Sequence, residues 1–134
     1  MTNIFVKVFG HVETAGRLAA GAATMSSRTD AVVRHYGQLM QTKIQAHASG
    51  RPGPNAPTGN YRRSIHVEFG QAGGGLEARV GTNAPQGRRL EFGFVGTDSL
   101  GRHYNQPPFP HFGPAANEVE PEFVAALAAV AMGI

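Results

Sequence analysis

The 134-residue sequence predicts an α+β fold: a small antiparallel sheet packed on one long helix, with a C-terminal helix and extended loops. Three observations predict it. Residues 27–48 repeat apolar side chains every three to four positions, the period of one helix face. Residues 62–82 hold two runs of alternating apolar and polar residues around a glycine-rich connection, the pattern of a hairpin with one buried face. Residues 114–132 carry a second helical stripe. A chain of this length is expected to form one domain, residues 1–134.

The elements follow in order. Ile4, Val6 and Val8 alternate with Phe5, Lys7 and Phe9, and Gly10 ends the run, so residues 3–9 read as a strand. Residues 11–23 are small and rich in Ala and Gly, compatible with a short helix. In the long helix the stripe is Val32 or Val33, Tyr36, Met40, Ile44 and His47, with Leu39 beside it. Ser27 and Asp30 resemble a capping box at its start, and Ser49 and Gly50 stop it. Gly37 within it costs about 1 kcal/mol relative to Ala. The Pro- and Gly-rich residues 50–60 read as a loop. In the hairpin, Ile65, Val67 and Phe69 face Leu76, Ala78 and Val80 across Gly70 to Gly75, and the apolar face is expected to lie on the long helix. Residues 83–92 allow one or two helical turns after Pro85. Residues 93–113 show no regular pattern but hold Phe94, Tyr104, Phe109 and Phe112, which argues against plain disorder. Val119, Phe123, Leu127 and Val130 mark the last helix. Pro121 either separates a short turn from it or stands at its first position, with Glu118, Glu120 and Glu122 near the start, where negative charge is favoured.

Composition excludes several classes. There is no cysteine, so the chain is no disulfide scaffold, Cys-based zinc module or cysteine enzyme. No apolar run is long enough for a membrane span, and the first ten residues do not read as a signal peptide. Gly (18) and Pro (9) are abundant, while Ile, Leu, Val and Phe together number only 29. That is a thin core with much loop, as expected of a subunit that gains stability from neighbours. The net charge of +3 is unevenly spread: residues 1–67 sum to +6 and residues 68–134 to −3. Ten of the twelve basic residues are Arg, suited to carboxylate or phosphate partners.

No constellation for catalysis stands out. Walker, GxSxG and zinc-ligand spacings are all missing from the sequence, and the six histidines are scattered. The reading is a non-enzyme with no catalytic residue, cofactor or metal. Arg62–Arg63 and Arg88–Arg89 are left as candidates for partner contact or simple solvation.

Four segments in order carry a resemblance: Thr58-Gly59-Asn60-Tyr61-Arg62-Arg63-Ser64-Ile65, Val80-Gly81-Thr82-Asn83-Ala84-Pro85, Leu90-Glu91-Phe92-Gly93, and Pro107-Pro108-Phe109-Pro110-His111-Phe112-Gly113-Pro114-Ala115. Together they resemble the small head–tail joining and tail-completion (neck) proteins of long-tailed bacteriophages, the family of lambda minor tail protein Z and its lambdoid counterparts. The chain departs from that family's pattern at Gln86-Gly87 and at Gly113. The resemblance implies a structural virion protein, assembled in the host cytoplasm, that forms a six-fold ring around the DNA channel at the head–tail junction. Its partners would be other copies of itself, adjacent neck and tail-tube proteins, and DNA passing without sequence readout, with no membrane. Tail-tube terminator, stopper ring and free nucleic-acid-binding module are the alternatives.

On that expectation, Tyr61, Arg62, Arg88, Arg89, Phe109 and Phe112 are candidate subunit-interface residues. Gly73, Gly74 and Gly75 are a candidate docking loop. Arg63, Arg79 and Arg102 are candidates for the basic wall of a DNA channel.

Overall fold

The computed structural model describes residues 4–9, 22–72 and 75–133. Its elements are β1 (Ile4–Phe9), α1 (Ala22–His47), α2 (Asn60–Ser64), β2 (His66–Ala72), β3 (Gly75–Thr82), α3 (Gly87–Phe92), β4 (Phe94–Thr97), β5 (His103–Gln106) and α4 (Phe112–Ala131). The class is α+β, as the sequence predicts.

A three-stranded antiparallel sheet has the order β1-β3-β2. Its registers set Val67 opposite Val80 and Phe69 opposite Ala78, and place Val6 against Val80 on the other side of β3. The period-two pattern of β3 buries Leu76, Ala78 and Val80, while Glu77 and Arg79 alternate to the half-exposed face. Helix α1 lies across the buried face. Gly37 is the crossing point, because a Cβ built there would stand 2.8 Å from Cβ of Ala78. The helix cost of this glycine is therefore offset by close approach to the sheet.

Helix α4 also packs against α1, and its side chains join those of the sheet in one buried cluster, while Arg34, His35, Gln38 and Thr42 leave one face of α1 exposed. Met40, Ile44, Ala48, Tyr61, Ile65, Val80, Phe112, Ala115 and Val119 make the main buried cluster. A second, of Val33, Leu76 and Ala78, continues it toward Tyr36, Phe69 and Phe123. Full burial of each large aliphatic here contributes about 1.5–3 kcal/mol. Glu118 of α4 ties the layer edges by accepting from His47 Nε2 at 2.6 Å and pairing with Lys43 Nζ at 3.5 Å.

Several expectations need correction. Helix α1 begins at Ala22, so Ser27 and Asp30 lie inside it; the helix-favouring Ala22, Ala23 and Met25 extend it past the capping signal. Arg62 and Arg63 stand on the short helix α2 rather than on a strand, and β2 begins at His66. Gln41 and Gln45 of α1 fix that helical turn by donating to the carbonyls of Ile65 and Arg62. The stretch 93–113 contains a second hairpin, β4–β5, with Phe94 opposite Gln106 and Thr97 opposite His103. Helix α4 runs unbroken from Phe112 through Pro121, so both readings of that proline fail. Pro121 is exposed, and the lost hydrogen bond falls on the solvent side. Glu118, Glu120 and Glu122 thus lie beyond the first turn, which holds no acidic residue of its own. The short helix considered for 11–23 falls almost wholly outside the described residues.

Candidate functional site

The four segments that carry the resemblance meet in space. Tyr61, from the first, donates its hydroxyl to Nε2 of His111, from the last, at 2.6 Å. Nδ1 of His111 then donates to the Phe109 carbonyl at 3.0 Å, so the neutral Nδ1–H tautomer satisfies both ring nitrogens. Glu91, from the third, accepts from the backbone N–H of His111 (2.9 Å) and Phe112 (2.8 Å) through Oε1, and from Gly113 (3.1 Å) through Oε2. These N–H groups are donors that the start of α4 cannot pair internally. A carboxylate from α3 therefore caps α4 and complements its dipole. The second segment joins through hydroxyls. Ala84 N–H donates to Thr82 Oγ1 (3.0 Å), Thr82 meets Ser64 Oγ (2.7 Å), and Ser64 donates to the Tyr61 carbonyl (2.5 Å).

This junction is sealed. His111 is 0%, Glu91 6% and Tyr61 7% exposed. Burial, and then the nearby Glu91 charge, push the Tyr61 hydroxyl well above the ordinary tyrosine range, so it stays a donor. Burial lowers the pKa of His111 and favours the neutral ring. A Tyr–His–Glu set so enclosed meets no substrate in this arrangement. Its chemistry is cohesion, locking α2, α3 and the start of α4 to one another. Among the described residues, no group of three or more His, Asp or Glu side chains is arranged to hold a metal ion.

Tyr61 and Phe112 are thus corrected as interface candidates. Both are core residues, Phe112 being 3% exposed, because their rings fill the junction between α1, α2 and α4. Phe109 is half-buried, with the Arg51 guanidinium 3.7 Å over its ring and its N–H on the Leu90 carbonyl at 2.6 Å. Arg88 and Arg89 are exposed on α3, stacked over Phe92 (5.5 Å) and Phe94 (4.1 Å). Arg62 reaches Ser49 Oγ at 3.1 Å. The three channel candidates stand on three different elements. Arg63 is held by Asn60 and Thr58 on α2, Arg79 stands mid-strand in β3 opposite Glu68, and Arg102 lies in the β4–β5 turn. Of the glycine loop, Gly75 opens β3, paired with Ala72; Gly73 and Gly74 lie outside the described residues.

The feature that sequence reasoning missed is the β4–β5 arm. Asp98 wires its turn: its carboxylate accepts from the N–H of Leu100 and Arg102 (both 2.9 Å), from Arg102 Nε (2.6 Å) and from the Tyr104 hydroxyl (3.0 Å). The Arg102 N–H, and with it the guanidinium, hold the Asp98 carboxyl below its ordinary value. Phe94 and Tyr104 face each other on one side, centroids 5.8 Å apart. On the other, Val95 is 78% exposed; Leu100, in the turn, is 75% exposed, and Phe92, at the base, is 63% exposed. Asp98-Ser99-Leu100-Gly101, a turn composition between two short aromatic-bearing runs, is the signal that could have found it.

Compared with known families, residues 12–93 match the model described as "Bacteriophage HK97-gp10, putative tail-component", and that span is more than half of the chain. The chain belongs to this HK97 gp10-like family. It is thus a member of a family of phage tail components, in line with the neck and tail resemblance carried by the four segments. Three of those segments lie inside the match, and the fourth, with His111, lies beyond it yet closes the same junction. No curated protein and no solved structure matches the chain. Among the described residues, no helix is long and apolar enough to cross a membrane.

Proposed function

We propose that this tail component is a virion subunit that forms a ring at the head–tail junction and completes the tail around the DNA channel. Family membership supplies the phage setting. The observation that carries the assembly reading is the arm: a hairpin with a pre-ordered turn that holds Val95 and Leu100 in solvent. Monomeric proteins rarely order a protruding element to display large apolar side chains, whereas subunits do so at their contacts. The role is structural, its partners being further copies and the adjacent tail and neck proteins. The DNA would pass without base readout, and Arg51, Arg62 and Arg63, whose guanidiniums rest on neutral groups, suit loose phosphate contact.

Electron microscopy of particles made without this chain tests the reading. Full-length tails that fail to join capsids are expected. Tails of uncontrolled length would instead assign a tube-terminator role, and normal joined particles would overturn the proposal. Those arginines also favour a second reading, a free nucleic-acid-binding module. A salt titration with duplex DNA decides it, since such a module must bind at low salt and weaken steeply as salt rises.

A further inference from the structure

We infer that the β4–β5 arm of one copy docks on the exposed face of α4 of a second copy, in a head-to-tail contact. The inference deepens the proposed ring and rests on that reading. Its donor surface is the arm with its base: Phe92, Val95 and Leu100, accompanied by the exposed cations Arg88 and Arg89 at the base. The acceptor surface is on α4. Residues 123–132 of the chain contain no polar side chain. A helix segment apolar all round belongs in a buried setting. Yet Phe123 meets Tyr36 of α1 and Val130 is buried, while Val124 and Met132 stand 55% and 72% exposed.

Charge selects the occupant. Glu120 and Glu122 are exposed and border this face at its N-terminal side. Among the described residues Glu118, Glu68 and Asp98 have basic or histidine partners and Glu91 is buried on backbone N–H groups, whereas Glu120 and Glu122 stand in solvent. An apolar face with an acidic border fits an apolar arm with arginines, and this chain supplies that arm. Within one copy the two surfaces do not cover each other, since Val95, Leu100, Val124 and Met132 all stand exposed. The arm joins the core beside the start of α4, through Glu91 and the Phe109–Leu90 bond. Val124 to Met132 lie about 18–30 Å further along that helix at 1.5 Å per residue. Two different patches, one on the arm and one on α4, produce a heterologous contact, the kind that closes into rings.

Sedimentation velocity of the full chain tests this, with Leu100→Asp in the arm and Val124→Asp in α4 as separate variants. The wild type is expected to associate, and each variant to sediment as a folded monomer, with association weakened at least about tenfold. An equimolar mixture of the two variants retains one intact arm and one intact α4 face, so it is expected to give a 1:1 dimer and nothing larger. Val95→Asp and Met132→Asp form a second pair, at sites more exposed than the first, should melting show that a first variant has lost its fold. A wild type that stays monomeric to about 1 mM, where binding is worth only about 4 kcal/mol, overturns the inference. So do variants that associate like the wild type, or a mixture of the two that stays monomeric. Incorporation of a monomeric wild type into tails would keep the proposed function while sinking this contact. Normal particles without the chain would do the reverse.

Discussion

Glu91 holds three consecutive backbone N–H groups while almost fully buried, so its removal strands three donors at once. Glu91→Ala is expected to cost about 3 kcal/mol or more in urea unfolding, well above the ordinary loss of a helix cap. Its neighbour His111 sets an acid sensitivity. Burial lowers the folded pKa of His111 below the ordinary 6.5, so in the window between the two values the unfolded chain binds a proton that the folded chain refuses. Stability is therefore expected to fall as pH drops from about 6.5 toward that lowered value, by at most about 1.4 kcal/mol per pH unit from this group. His66 works in the opposite sense. The Ser64 carbonyl, and then Glu68, raise its pKa, so its contribution is full below 6.5 and fades as pH rises through the raised value. Glu118, lowered first by its bond from His47, adds acid loss only below about 4.5. Urea midpoints of a His66→Gln variant between pH 7.5 and 5 would isolate the His111 slope, and a flat profile would count against a buried neutral ring.

Pro121 sits in the middle of α4 without ending it, because apolar anchors on both sides, Val119 and Phe123, hold the helix against α1. Pro121→Ala restores a backbone donor on an exposed face and is expected to raise the melting temperature, corresponding to about 1–2 kcal/mol. A drop would mean that the ring has a contact of its own. The same helix shows what was legible in the sequence. Its stripe was readable as a period, and so were α1 and the alternation of β2 and β3, since each buries one regular face. Its start was not, because the capping carboxylate comes from Glu91, more than twenty positions upstream. Periodicity likewise passed over β4 and β5, which are four residues each and alternate against solvent rather than a core. The motif residues Tyr61, Glu91 and His111 were recognisable as a pattern, but their role was not, for a hydrogen-bonded junction leaves no spacing rule in one chain. That is why Tyr61 and Phe112 read as surface anchors when they are core.

At the scale of the molecule, the buried face of α1 is covered by the sheet and α4 together, while β4 and β5 lean mainly on each other. Amide exchange is expected to reflect this order. The α1 amides around Val33 to Ile44 should exchange only with global unfolding, and those of Val95 to Asn105 far sooner. Protection of the arm equal to that of α1 in the monomer would show that the arm is part of the core. In the assembled form the arm should become protected selectively, since docking adds cover where the lone chain has least.

The root of the arm has a mechanical consequence. Three bonds converge on the one carboxylate of Glu91 and share any pull in parallel. The far end of the hairpin is closed by the turn between Thr97 and His103, so a pull on its tip runs down both strands at once and loads this root rather than opening the ladder rung by rung. Force taken up at the tip would reach the body of the subunit through a threefold fixing, and the hairpin would act as a strap of constant length.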